Sequence, residues 1–159
     1  MGILSGFYKT CHIVPLWYYT KIKNRVSKNM LKISKLADYA IHIVHALMSE
    51  SECVSATKIA KKTLIPEPTV SKILKKLAES NLLVSSQGPR GGYQLMKSAE
   101  KISLAELITA MDGKPAMTEC CKADYDCARD KICGQQNHWR KINKKIVAVL
   151  EAISIGEMR

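Results

Sequence analysis

Acidic residues are scarce in this sequence, and their scarcity is uneven along the chain. The chain has 14 Asp and Glu against 25 Lys and Arg, a formal net charge of +11, and residues 1–29 contain no acidic residue at all. Clustered Lys and Arg attract phosphates whatever the sequence of the nucleic acid, so the excess of positive charge favours a polyanionic partner. An ordinary basic protein would have the same composition, and charge alone leaves both interpretations open.

Further absences narrow the class of protein. No stretch is apolar and long enough to span a bilayer, and the N-terminal charges follow the apolar residues, which is the reverse of a secretory signal. The sequence has no nucleophile–base pair, cofactor-binding fingerprint or internal repeat. We therefore expect a cytoplasmic protein that is not an enzyme. Its six cysteines would then be reduced, and suited to metal ligation more than to disulfides.

Regular helical patterning begins at Met30. Residues 1–29 are expected to form a poorly ordered N-terminal extension, either an appended or mis-started segment or a basic arm that touches DNA phosphates. The remaining length suits one compact domain with appendages. Within it we separate residues 30–97, which carry helices and a hairpin, residues 98–134, which carry a linking helix and a loop with four cysteines, and residues 135–159, which carry a last helix and a tail.

Apolar residues at helical spacing, with one short pair of alternating runs, predict a mainly α-helical fold with a small β-hairpin. Several helix starts are marked by residues that satisfy the first backbone N–H groups or lack one. These residues are Ser34, Ser55, Pro68, and the Ser103–Glu106 capping box.

The order of elements in residues 30–97 is that of a winged helix-turn-helix, with two short helices, a tight turn between them and then a hairpin. The helix that begins near Pro68 would be the recognition helix, because small polar and cationic side chains on its outer face suit base edges and phosphates. Arg90, on the Gly-rich hairpin turn, could enter a minor groove. A solvated helix face would look similar, but the hairpin that follows favours binding to double-stranded DNA. The outer face consists of Thr69, Ser71, Lys72, Lys75 and Lys76.

The last helix carries an apolar stripe at steps of three and four residues, which suits helix–helix pairing between two subunits. The stripe consists of Trp139, Ile142, Ile146, Val149 and Ile153.

Three cysteines follow the pattern C-x6-C-x5-C, namely Cys120, Cys127 and Cys133, with Cys121 beside the first. Thiolates are soft anionic ligands for iron and zinc, and a disulfide would use two and leave the others unpaired. The short C-x2–4-C knuckle of structural zinc sites is absent. Spacing alone leaves an iron–sulfur cluster and zinc nearly equal.

Five segments of the sequence together resemble the IscR-like (Rrf-two) family of winged-helix regulators. They are ISKLADYAIHIV, PTVSKILKKLAESNLLVSSQGPRGGYQL, ISLAELITAMDG, MTEC and ISIGEM. The resemblance covers Met30–Arg159 and is nearest to the branch that regulates the Suf assembly operon. It implies a homodimer with crossing C-terminal helices, recognition helices that read an inverted-repeat operator, and an iron–sulfur cluster, [2Fe–2S] or [4Fe–4S], with Cys120 as its first ligand. The resemblance thus implies a DNA-binding regulator of iron–sulfur cluster assembly genes, switched by its cluster.

The sequence departs from this family where the operator is read. Ser71 replaces a recognition-helix glutamate found in some relatives, and Gln87 replaces an arginine at the start of the wing. The operator sequence therefore cannot be transferred.

The sequence also departs from the family at the fourth cluster ligand. Gln136 occupies the position of the ligand histidine in some relatives. Nitric-oxide-sensing relatives use an aspartate of the first helix instead, and Asp38 matches it, although an acid there also favours the helix dipole. His138 and Cys121 are the alternatives. The rival functions are a nitric oxide or redox-sensing repressor of the same family, and a zinc-stabilised DNA-binding module without a sensing role.

Overall fold

The computed structural model describes residues 32–88, 91–122, 125–129 and 132–158. Ile33–Arg159 forms one compact unit. The predicted extension, residues 1–29, lies outside the described residues. The elements of the compact unit are α1 (Lys35–Met48), α2 (Ala56–Thr63), α3 (Glu67–Glu79), β1 (Leu83–Ser86), β2 (Gly92–Leu95), α4 (Leu104–Asp112) and α5 (Gln136–Ala152), with short 3₁₀ turns at Ala99–Lys101, Glu119–Cys121 and Ile155–Met158.

The helix starts follow the predicted capping residues. The Ser34 hydroxyl accepts from the Ala37 N–H at 3.1 Å, and the Ser55 hydroxyl accepts from the Lys58 N–H. At α4 the Ser103 hydroxyl accepts from the backbone of Glu106, whose carboxylate accepts from the Ser103 N–H, so the capping box is complete. These predictions are confirmed.

The carboxylate of that capping box is also paired with a cation. The Lys97 ammonium, at 2.7 Å, is the main reason that the pKa of Glu106 lies below its usual value, and the bonds from Ser103 add to the shift. An ionised carboxylate at the first turn interacts favourably with the helix dipole.

Helices α2 and α3 are joined by a tight turn that requires a left-handed residue. Leu64 has φ of 58°, and Ile65 after it is buried. Helix α3 begins at Glu67, one residue before the predicted start, so Pro68 occupies its second position. Because a proline lacks only an N–H that has no intrahelical partner there, the shift costs nothing. The inner face of α3 is buried through Val70, Ile73, Leu74 and Leu77.

Strands β1 and β2 form the predicted antiparallel hairpin, with Leu83 opposite Leu95 and Ser86 opposite Gly92. Val54, before α2, bridges to Tyr93 through two backbone hydrogen bonds of 2.9 Å. Gly92 lies against the Val54 backbone so closely that any Cβ would overlap it. The hairpin is thereby fixed to the segment that enters α2.

The core is closed by a segment that comes after α5. Ile155 is fully buried, and its N–H donates to the Ile102 carbonyl at 2.8 Å, while the Leu104 N–H donates to the Ile153 carbonyl. A His45 ring nitrogen lies 2.9 Å from the Ile155 carbonyl. The predicted stripe therefore loses its last member, because Ile153 ends α5 and packs against this core.

Helix α5 buries none of its own residues in the subunit. Trp139 is 38%, Ile142 43% and Val149 60% exposed.

Among the described residues, no helix is long and apolar enough to cross a membrane. The predicted fold class, mainly α with a small hairpin, is confirmed.

Candidate nucleic-acid interface and cysteine segment

The outer face of α3 carries its polar residues in two different settings. Ser71, Lys72 and Lys75 are exposed, and Thr69, near the start of the helix, is half-buried. Lys75 lies 3.9 Å from Glu79 on the same helix, with both side chains largely exposed. Such a pair is weak in water, and phosphates can compete for the lysine. Ser71, Lys72 and Lys75 are therefore open to a partner molecule in the folded subunit.

Lys76 is held differently from its neighbours. It is half-buried, and its ammonium group donates to the backbone carbonyl of Met111, in the last turn of α4. No local sequence pattern predicts this bond, because its two partners are 35 residues apart.

Two lysines of α2 are also engaged inside the subunit. Lys58 and Lys62 contact the Glu50 carboxylate at 2.9 and 3.2 Å, and their hydrogen bonds lower the pKa of Glu50. Lys62 also donates to the Ala46 carbonyl near the end of α1. The sequence alone did not identify Lys58 and Lys62 as residues that stabilise the fold.

The hairpin tip is described only in part. Gly88 has φ of 109°, a conformation that glycine adopts without strain. Arg90, the predicted minor-groove contact, lies outside the described residues.

The four cysteines between α4 and α5 are half-buried free thiols. The Thr118 hydroxyl lies 3.1 Å from the Cys120 sulfur and 3.3 Å from the Cys121 sulfur. Cys133 is tied by its backbone N–H to the Arg129 carbonyl at 2.8 Å. Among the described residues, no three His, Cys, Asp or Glu side chains are grouped closely enough to hold a metal ion.

Helix α5 holds in place the start of the cysteine segment, residues 114–135 between α4 and α5. The Asn143 side chain accepts from the Met117 N–H at 2.9 Å and donates to the Pro115 carbonyl, and Arg140 donates to the Cys120 carbonyl. Asn143 was not found from the sequence, because its partners lie more than 25 residues before it. The backbone around Cys120 is thereby fastened to α5.

The predicted fourth ligands lie on different elements. Asp38 is exposed in the first turn of α1, and Cys121 adjoins Cys120 in a 3₁₀ turn. His138 is exposed in the first turn of α5, with a ring nitrogen 3.4 Å from the Gly134 carbonyl. Gln136, at the family's histidine position, begins α5.

Comparison with known proteins identifies the family. A family model described as "Rrf2: Iron-dependent Transcriptional regulator" matches residues 33–159. The chain belongs to the Rrf2 family. It is similar to the HTH-type transcriptional regulator IscR of Vibrio vulnificus, with 28% identity over 132 residues that cover 83% of this chain and 74% of that relative. For IscR of Cronobacter sakazakii the identity is 30% over 113 residues, 71% of this chain and 69% of that one.

Solved structures agree with this assignment to the Rrf2 family. The structure of T. potens IscR has a TM-score of 0.57 at 25% identity and matches 80% of this chain and 85% of its own. CymR of B. subtilis, a global cysteine regulator, has a TM-score of 0.61 at 22% identity, matches 80% of this chain and 95% of its own, and shows a common fold. This Rrf2 protein is therefore an IscR-like DNA-binding transcriptional regulator, from a family of regulators and not of enzymes. The predicted family, the winged-helix fold and the absence of enzymatic function are confirmed.

Proposed function

We propose that this Rrf2 protein is a cytoplasmic, homodimeric regulator whose operator binding is switched by an iron–sulfur cluster, and that it controls Suf iron–sulfur assembly genes. The observation that carries the proposal is the set of three free, half-buried thiols, Cys120, Cys127 and Cys133, in one segment between α4 and α5. The family model that the chain matches is described as iron-dependent, which is consistent with it.

The donor set suits such a cluster in its chemistry, but among the described residues no three such side chains lie close enough together to hold a metal ion, so binding would have to draw the sulfurs together. Cys120, Cys127 and Cys133 would supply three thiolates, and Asp38, Cys121 or His138 a fourth ligand. When bound, an iron–sulfur cluster supplies a group whose presence depends on iron supply and oxidants. A weakly held fourth position, such as the Asp38 carboxylate, would leave one iron open to an oxidant or nitric oxide.

The DNA-contacting residues belong to α3 and the hairpin. Ser71, Lys72 and Lys75 are exposed, and Thr69 lies beside them at the start of the helix. Hydroxyl groups can read base edges, and lysines neutralise phosphates. Arg90 is proposed to enter the minor groove from the hairpin turn.

Dimerisation through α5 is supported by its exposed apolar stripe. A helix of 17 residues that buries none of them in its own subunit, yet exposes a tryptophan, an isoleucine and a valine, gains stability when a partner covers it. Two subunits paired in this way would present two α3 helices to the two halves of an inverted-repeat operator.

The cysteine segment joins the DNA-binding half to the dimer helix. It leaves α4 at Gly113 and is fastened to α5 by Asn143. A change in its conformation would therefore shift the ends of both helices, which gives a route from cluster occupancy to the spacing of the two α3 helices.

The experiment is an anaerobic purification with an absorption spectrum and counts of iron, acid-labile sulfide and zinc. We expect a brown protein with iron and sulfide in equal amounts, and loss of colour when Cys127→Ser replaces one thiol. Cys53→Ser, before α2, is the matched control and should keep the colour. A colourless protein that contains zinc would support the zinc-stabilised module and contradict the cluster.

A further inference from the structure

Three lysines of α3 look equivalent in the sequence but not in the structure. Lys72 and Lys75 are exposed, and Lys75 keeps 77% of its side-chain surface in water. Lys76 is half-buried, and its ammonium group is bonded to the Met111 carbonyl. It lies at the border of the buried face of α3, beside the fully buried Ile73 and Leu77.

The acceptor of this bond is a carbonyl that α4 cannot satisfy by itself. The last four carbonyls of a helix have no partner in the next turn, and they form the negative end of its dipole. In α4 the Gly113 N–H closes on the Thr109 carbonyl, and residue 115, whose N–H would close on the Met111 carbonyl, is a proline that has none. A lysine cation is a strong donor there, because the bond is charge-assisted.

The position of the bond gives it a function beyond stability. Met111 lies two residues before Gly113, where φ of 87° turns the chain into the segment that leads to Cys120. The bond thus joins the DNA-contacting helix to the point where the cysteine segment departs.

We infer that Lys76 is a positioning residue and not a phosphate contact. Its bond to the Met111 carbonyl holds α3 against the end of α4, and so couples the cysteine segment to the recognition helix. This inference rests on the proposed function of α3 as the DNA-contacting helix. It revises the sequence-based assignment of Lys76 to the DNA face.

The first test uses the salt dependence of DNA affinity to distinguish a positioning role of Lys76 from a phosphate contact. Each phosphate contact that is lost flattens the plot of log affinity against log salt by roughly one unit. We expect Lys72→Met and Lys75→Met to show that loss on a random duplex. Lys76→Met should keep a slope near that of the parent, with a thermal midpoint lower by roughly 2–5 °C. Lys76→Arg, which keeps a cationic donor, should restore the midpoint.

The second test uses the protein without DNA, so it stands even if the proposed function fails. Hydrogen–deuterium exchange over residues 112–118 should be faster in Lys76→Met than in the parent, and unchanged in Lys75→Met. Unchanged exchange in Lys76→Met would contradict the positioning role of Lys76. A salt slope that falls in Lys76→Met by as much as in Lys72→Met would make Lys76 a phosphate contact. If the parent protein binds no duplex while exchange in Lys76→Met changes as expected, the positioning role of Lys76 holds and the proposed function of α3 is wrong.

Discussion

At the scale of single residues, Thr118 contacts both adjacent cysteines of the cysteine segment. Its hydroxyl lies within 3.3 Å of both sulfurs, Cys120 and Cys121. One hydroxyl has one proton to donate, so it can support only one thiolate at a time. As a donor to a thiolate it would serve Cys120 or Cys121 but not both, and the family resemblance implies Cys120 as the first ligand.

The identity of the fourth ligand can be tested by three substitutions. We expect Asp38→Ala to shorten the lifetime of the cluster in air and to change its visible spectrum, because a carboxylate ligand would be lost. His138→Ala and Cys121→Ala should match the parent. The measurement is anaerobic purification followed by absorption spectra during exposure to air.

Comparison of the three variants also shows which results would contradict Asp38 as the fourth ligand. A cluster that survives Asp38→Ala and disappears in Cys121→Ala would make the site all-cysteine. Survival in all three variants would mean a fourth ligand from outside the chain.

Residue types on the outer face of α3 could be predicted from the sequence, but their partners could not. The helical period places Thr69, Ser71, Lys72, Lys75 and Lys76 away from the core. Whether a lysine there is free depends on what another element brings beside it. The Met111 carbonyl reaches Lys76 only because α4 packs against α3, a contact that no local pattern encodes.

At the scale of elements, local chemistry predicted where most helices begin. Ser34, Ser55 and the Ser103–Glu106 box act within three residues of themselves, so their sequence spacing is sufficient. The end of α5 was missed for the opposite reason. Ile153 continues the apolar stripe in sequence, but pairing with Leu104, which is distant in the chain, draws it out of the helix.

Helix α5 gives a prediction for assembly. Val149→Asp places a charge on a side chain that is 60% exposed in the subunit, so the fold should tolerate it. Between two subunits the same charge would be buried and unpaired, at a cost of several kcal/mol. We expect sedimentation to show monomers, with operator binding lost. Ile146→Asp should act in the same direction.

The matched control is Ala148→Asp, an exposed position two residues from Ile146 on another side of α5. It adds the same charge to the same helix and should leave the dimer intact. A Val149→Asp protein that sediments as a dimer would place the interface elsewhere.

At the scale of the whole molecule, the core depends on a residue that follows all five of the described α-helices. Ile155 has no exposed surface, and it contacts the α1 region through His45 and the segment before α4 through Ile102. The described unit is therefore closed by its C-terminal segment, and α5 is anchored at both ends.

Ile155→Ala should lower the free energy of unfolding by about 2–5 kcal/mol, the usual cost of a cavity from a fully buried isoleucine. Met158→Ala, in the same 3₁₀ turn but 39% exposed, is the control and should cost much less. Denaturant unfolding followed by circular dichroism measures both. Equal midpoints for the two variants would mean that Ile155 does not close the core.

The position of Ile155 has a consequence for synthesis of the chain. It lies 110 residues after His45, its partner in α1. Translation proceeds from the N-terminus, and so the winged-helix half leaves the ribosome long before the isoleucine that completes its core has been made. The core of a nascent chain would lack this isoleucine until the residues beyond α5 have emerged, so the helices that pack around it would gain their full stability only then.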